Sequence, residues 1–305
     1  MATDSNHLVP AISLRNLTKW YGKTVGVKNV SFDVQAGEVL GFLGPNGAGK
    51  TTAMRVLVGL IQATSGSARI QGVSTLNSHP SMRANIGYLP GVLELYRHLS
   101  GSDFLHFLAG MRRVDCANRI TQLAEQLDVD LSKRITELSK GNRQKLGVIQ
   151  AFMHNPKVLI LDEPTGGLDP LVQREFESIL NEARDNGAGV LLSSHVLSEV
   201  EHLADRVAVL DKGELLAVEQ IELLKSATAR TLDLQFPQEI SEETFSKVPG
   251  VSKVAVRGHQ VTCEVVGSEH ELLRTAVVNG VTNVHSREVS LSDVFIALVE
   301  GNEHK

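Results

Sequence analysis

Apolar residues in this chain fall alternately into short extended runs and helical stripes. Between Ile12 and Val39 the segments ISLRNL and VSFDV have strand character, and Gly22, Gly26 and Gly37 punctuate them as turn residues, which predicts an antiparallel opening region. From Glu38 the run EVLGFLG reads as a buried strand entering GPNGAGKTT, after which AMRVLVGLI places Met54, Leu57, Val58 and Ile61 at helical spacing. The order is strand, glycine loop, helix. From Gly101 to about Asn155 the pattern is mostly helical, with Phe104, Leu105 and Leu108, then Ile120, Leu123, Ala124 and Leu127 at helical intervals. Three further apolar runs, KVLILD, GVLLSS and RVAVLD, are separated by the helical stretches LVQREFESILNEAR and VLSEVEHLA. That alternation predicts a parallel sheet with crossover helices.

After a polar, helix-favouring link around Gln220 to Arg230 the pattern changes. TLDLQF, SEETFSKV, SKVAVRG, QVTCEVV, ELLRTAVVNG and VTNVHSR read in turn as strand, helix, strand, strand, helix and strand, and SLSDVFIALVE closes as a helix. This order predicts a small α+β sandwich, ferredoxin-like or related, and it carries no catalytic constellation.

Composition narrows the function. With 305 residues the chain has room for one large domain and one smaller one, and 42% hydrophobic with 21% charged residues is ordinary for a folded globular protein. A formal net charge of -5 disfavours nucleic acid as a partner, because affinity for phosphate backbones comes from clustered Lys and Arg. Cys116 and Cys263 lie far apart with no CxxC spacing, so two reduced thiols are expected. The first 25 residues carry Asp4, His7, Arg15 and Lys19 without a long apolar core, which is neither a signal peptide nor an anchor. No segment reaches the ~20 consecutive apolar residues of a spanning helix. A membrane role would have to come through a partner.

Gly44, Gly49, Lys50 and Thr51 satisfy G-x-x-x-x-G-K-[ST], the loop whose backbone N–H groups cradle phosphates while its lysine reaches the β and γ groups. The strand before it and the helix after it supply the required context, with the helix dipole aimed at the anion. In VLILDEP a buried strand delivers Asp162 and Glu163 to its C-terminal edge, the side on which open α/β sheets bind ligands. Asp162 is placed to hold Mg²⁺ with the Thr51 hydroxyl, and Glu163 to polarise an attacking water.

A P-loop combined with an LDEP strand resembles the ATP-binding cassette (ABC) family, and the family's other motifs can be matched residue by residue. LSKGN, comprising Leu138, Ser139, Lys140, Gly141 and Asn142, resembles the signature motif and precedes the helix-patterned NRQKLGVIQAFMHN. The resemblance implies that it faces the ATP held by a second copy of the chain in a head-to-tail homodimer. GGLDP resembles the D-loop with Asp169, and SSH places His195 where the family has its switch histidine. In KWYGK, Tyr21 stands where an aromatic stacks on adenine, a hairpin-core aromatic being the alternative. The implied nucleotide site is Tyr21, Gly44, Pro45, Asn46, Gly47, Ala48, Gly49, Lys50, Thr51 and Thr52. Thr51 and Asp162 are the implied metal ligands, Glu163, His195 and Lys50 the catalytic groups, and ATP with Mg²⁺ the cofactors.

Two positions depart from the family. Gly91 stands where the Q-loop has Gln or Glu, and Lys140 with Asn142 replaces Gly and Gln in the signature, which adds a cation expected to favour ATP-dependent dimerisation. The closing helix after a small α+β unit looks like the C-terminal extension of ATPases that partner ABC-2-type permeases, a subgroup associated with export. The resemblance therefore implies an ATP-hydrolysing subunit at the cytoplasmic face of the membrane, held there by a permease. It implies an α/β fold with a P-loop NTPase (RecA-like) core, an antiparallel β subdomain and a helical subdomain at about 100–155, all within residues 1–225. A small α+β (ferredoxin-like) domain is expected over 231–305. Soluble ABC ATPases acting in nucleic-acid or translation processes are the competing class.

Overall fold

The computed structural model describes residues 9–77, 80–227, 230–287 and 289–303, so Asp4 and His7 lie outside the described residues. The chain divides into two compact units, Met1–Val218 and Glu219–Lys305. In chain order the first unit contains β1 (Ile12–Tyr21), β2 (Thr24–Val34), β3 (Val39–Leu43), α1 (Lys50–Leu57), β4 (Ser65–Ile70), β5 (Val73–Ser74), α2 (Pro80–Ala84) and β6 (Ile86–Leu89). It continues with α3 (Gly101–Arg112), α4 (Ala117–Gln126), α5 (Lys140–Phe152), β7 (Val158–Asp162), α6 (Pro170–Asp185), β8 (Gly189–Ser193), α7 (Leu197–Leu203), β9 (Arg206–Asp211) and β10 (Glu214–Gln220).

Two sheets form, with strand orders β2-β1-β4-β5 and β10-β9-β3-β8-β7-β6. In the larger sheet β3 runs parallel to β8 and β9, and β7 runs parallel to β6 and β8. Every residue of β3, β7 and β8 is buried. Strands covered on both faces need no polar alternation, which is why they stand out as unbroken apolar runs. β1 and β2 pair antiparallel, with register shifts between Leu14 and Trp20. Their inward residues Ile12, Leu14 and Phe32 share one core with Phe42 of β3 and with Met54 and Leu57 of α1. Each such buried side chain contributes ~1.5–3 kcal/mol through lost apolar surface. The strand and helix that flank the glycine loop are thereby fixed to the same core.

The structure moves one helix start. α5 begins at Lys140 rather than at Asn142, because the Ser139 hydroxyl accepts the amide of Asn142 at 3.1 Å and so caps a helix that includes the signature segment. β4, β5 and β10 have no counterpart in the apolar pattern of the chain. SGSARI and ELLAVEQ hold few buried positions, so their strand character comes from neighbouring strands rather than from apolar alternation.

The second unit contains α8 (Ile221–Ala227), β11 (Arg230–Gln235), α9 (Glu243–Ser246), β12 (Val251–Arg257), β13 (Gln260–Val265), α10 (His270–Val278), β14 (Asn283–Arg287) and α11 (Leu291–Glu303). Its sheet has the order β12-β13-β11-β14 with antiparallel pairs throughout, the arrangement of a ferredoxin-like β-α-β-β-α-β fold. Leu232, Leu234, Val261 and Cys263 face Phe245 and Leu272 in its core. Both cysteines are free and buried, and burial pushes the Cys263 thiol up to about 11, which leaves it unreactive. Among the described residues no helix is long and apolar enough to cross a membrane.

Just after α5, His154 Nε2 lies 3.1 Å from the carbonyl oxygen of Ile86, which also accepts from Arg112 at 3.4 Å. Its Nδ1 is buried without a hydrogen-bond partner. Burial first, and then the Arg112 charge, push the imidazole down to about 4 from an ordinary 6.5. The unfolded chain therefore binds the proton first, so stability is full above pH 6.5 and falls as pH drops towards 4. Wild type should lose about 2 kcal/mol between pH 7 and pH 5 from this group, read as a lower urea midpoint, and His154→Gln should lack that part of the loss. Identical pH dependence in the two proteins would refute the assignment.

Candidate active site

The glycine loop joins β3 to α1, and two of its glycines, Gly44 and Gly49, are demanded by close packing. A Cβ on Gly44 would come within 2.3 Å of the Leu210 carbonyl oxygen, and one on Gly49 within 2.2 Å of the Gly26 carbonyl oxygen. Gly49 also has φ of 107°, a conformation that side chains resist. α1 has no side-chain cap and no acid in its first turn, so its first amides are free to meet an anion. Lys50 opens the helix nearly buried, with its ammonium held by the carbonyls of Gly44 and, at 3.2 Å, Pro45. Burial lowers its pKa below the ordinary lysine value, while the charges of Glu163 and Asp162 oppose that shift.

Asp162 ends β7 only 3% exposed. One carboxylate oxygen accepts the Ser193 hydroxyl at 2.6 Å and the other accepts the Thr51 hydroxyl at 2.7 Å. The next residue leaves the strand abruptly. Glu163 has φ of 54°, a left-handed conformation that costs roughly 1–2 kcal/mol for a residue with a Cβ. Its amide is held by the Ser193 hydroxyl and carbonyl, both at 3.2 Å, and its carbonyl accepts the Gln144 amide at 3.3 Å. The same Gln144 amide donates to the Pro164 carbonyl at 2.8 Å. The resulting turn brings the Glu163 carboxylate onto His195 Nδ1, just beyond the end of β8.

These groups line one cleft of about 600 Å³. It gathers Tyr21, Pro45, Asn46, Gly47, Ala48, Gly49, Lys50, Thr51, Thr52, Asp162, Glu163 and His195, while Gly44 supports the loop from behind. Tyr21 is 47% exposed with the Lys19 ammonium 5.3 Å from its ring centre, so it is a wall of the cleft and not a hairpin-core aromatic. The signature residues and Asp169 do not line this cleft. Leu138 is buried, Ser139 caps α5, Gly141 approaches the Gly167 carbonyl, and the Lys140 stem runs beside Gly167 of the same copy. Asp169 caps α6 by accepting the amides of Leu171 and Val172, both at 3.1 Å.

Sequence reasoning missed Val25, Gly26 and Val92, which complete the cleft wall, and Ser193 and Gln144, which position Asp162 and Glu163. Ser193 had a signal: a hydroxyl closing an apolar strand is buried and needs an acceptor. Gln144 had none. Among the described residues no three His, Cys, Asp or Glu side chains cluster as a metal cage. One carboxylate and one hydroxyl beside a phosphate cradle are the hard oxygen donors that suit Mg²⁺, which takes its remaining ligands from phosphate and water.

A phosphate cradle, a lysine, a hard-metal oxygen pair and a carboxylate–imidazole couple in one cleft define a P-loop nucleotide hydrolase. The sequence model described as ABC transporter matches residues 27–166, and one described as AAA domain, putative AbiEii toxin, Type IV TA system matches residues 134–201. The bacitracin transport ATP-binding protein BcrA of Bacillus licheniformis is 32% identical over 302 residues, covering 95% of this chain and 97% of that protein. The lantibiotic transport ATP-binding protein SrtF of Streptococcus pyogenes is 36% identical over 206 residues, covering 67% of this chain and 89% of that protein. A solved ATP binding subunit of an ABC transporter superposes with a TM-score of 0.68 at 29% identity, over 70% of this chain and 92% of that one. The dimeric structure of a bacterial ABC transporter cassette shares the fold, with a TM-score of 0.62 at 23% identity over 69% of this chain and 98% of that one. The chain belongs to the ABC transporter family, as an ATP-binding subunit with ATPase activity.

A side chain at Gly91 would crowd Asp162. A Cβ there would sit 3.3 Å from Asp162 Oδ2, the oxygen that accepts from Thr51. Gly91→Ala should therefore lower ATP turnover severalfold while leaving the unfolding free energy within about 0.5 kcal/mol, because the crowding falls on one carboxylate oxygen at the surface of the cleft. Unchanged steady-state kinetics would show that Asp162 yields without consequence.

Proposed function

We propose that this chain powers export through a separate ABC-2-type permease, with two copies closing on two ATP molecules. The observation that carries the site reading is the junction of Thr51 and Asp162, braced from behind by Ser193, next to the Glu163–His195 couple in the glycine-loop cleft. The backbone amides of residues 46, 47 and 49–52 hold the phosphates, Lys50 offsets their charge, and Tyr21 stacks on the base. Thr51 and Asp162 hold Mg²⁺, which when bound neutralises charge on the transferring phosphoryl group. Glu163 accepts a proton from, and orients, the attacking water. His195 fixes the Glu163 carboxylate and faces the developing charge on the γ-phosphoryl oxygens.

The signature segment at the start of α5 contributes to the cleft of the other copy, a reading supported by its absence from its own. An antibiotic as the transported substrate is supported by the names of BcrA and SrtF, which specify transport of bacitracin and of a lantibiotic, and the BcrA match runs through both units. The permease holds the chain at the membrane, consistent with the lack of a spanning helix among the described residues.

Replacing Glu163 by Gln removes the proton acceptor but keeps shape and hydrogen-bonding reach. Turnover should fall by at least ~10²-fold, with ATP retained and a dimer visible by size-exclusion chromatography in Mg-ATP. Wild-type turnover in this variant would overturn the role given to Glu163.

A further inference from the structure

Beside the cleft, one polar cluster, half-buried at Glu199 and Gln173 and buried at Thr165 and Ser194, has no part in the hydrolysis described. Glu199 lies in the first turn of α7, and its carboxylate accepts side-chain hydrogen bonds from three other elements. Thr165 donates to Oε2 at 2.7 Å, Ser194 donates to the same oxygen at 3.0 Å, and the Gln173 amide reaches Oε1 at 3.4 Å. Thr165 is 7% exposed and Ser194 2%, so neither hydroxyl has much water to turn to. Removing their common acceptor leaves buried donors unsatisfied.

The donors flank the catalytic pair. Thr165 stands two residues after Glu163, and Ser194 immediately precedes His195. Thr165 also opens a tight turn, its carbonyl accepting the Leu168 amide at 3.0 Å, and that turn delivers Asp169 to the start of α6. Gln173 closes the circuit, because its amide reaches the Leu168 carbonyl at 3.4 Å as well as Glu199. An acid in a first turn often acts only on its helix dipole. Here the carboxylate is engaged by side chains of the surrounding elements instead.

We propose that Glu199 is a positioning residue that holds the turn after Glu163 in register with the loop bearing His195. A displacement of the 165–169 turn then reaches His195 through one side chain, and the carboxylate–imidazole couple forms only while the turn is seated. This rests on the roles proposed for Glu163 and His195.

The test measures kcat and KM for Mg-ATP on the full chain. Glu199→Gln and Thr165→Val should each lower kcat by roughly 10- to 100-fold with KM within about threefold, and the double variant should be no worse than the worse single, since both break one network. Thr165→Ser keeps the hydroxyl and should stay within about threefold of wild type. Should Glu199→Gln not fold, the comparison of Thr165→Val with Thr165→Ser decides the same question. Equal activity in those two, or additive losses in the double variant, would sink the proposal. Normal turnover in Glu199→Gln beside an inactive Glu163→Gln removes this inference alone, whereas normal turnover in both removes the catalytic reading beneath it.

Discussion

The two hydroxyl bonds on Asp162 are what the cleft is built around. Thr51 belongs to the helix that leaves the glycine loop and Ser193 to the strand beside β7, so one buried carboxylate ties together three segments far apart in the chain. A carboxylate this far from water is tolerated only with its oxygens satisfied. Both are, and the fixed positions of Thr51 and Ser193 follow. Ser193 also holds the Glu163 amide, which carries the constraint to the next residue.

Glu163 shows why the constraint matters. Its left-handed backbone persists because Ser193 and Gln144 fix its amide and carbonyl, and the reward is a carboxylate turned out of the strand line towards His195. The glycine loop obeys a related logic in reverse: Gly44 and Gly49 permit backbone approach to Leu210 and Gly26 that no side chain would allow. One side of the cleft is set by satisfied polar groups and the other by close backbone approaches that only glycine permits. Gly91 extends the second device to the rim beside Asp162, at the position where the family resemblance implies a longer polar residue.

The polar cluster around Glu199 lies behind this assembly and connects the turn ahead of α6 with the end of β8. A catalytic couple made from two loops needs both loops held to a common reference. The second unit is a different kind of structure, a ferredoxin-like sheet with its own apolar core and buried, unreactive Cys263.

Much of this was legible in the sequence. The fully buried strands β3, β7 and β8 are unbroken apolar runs, the glycine loop has a fixed spacing, and LDEP, LSKGN and SSH mark their segments; these depend on local pattern, which a chain displays before it folds. The sequence of strands and helices in the second unit is legible in the same way, while their order within the sheet is not. Tertiary structure alone decided the rest. β4 and β10 became strands because neighbours supply their hydrogen bonds, and Tyr21 was turned to a cleft wall. Which hydroxyls meet Asp162 and Glu199 was invisible in the chain, because a hydrogen bond between distant residues is fixed by where the sheet order sets their strands, and no residue type or spacing encodes that distance.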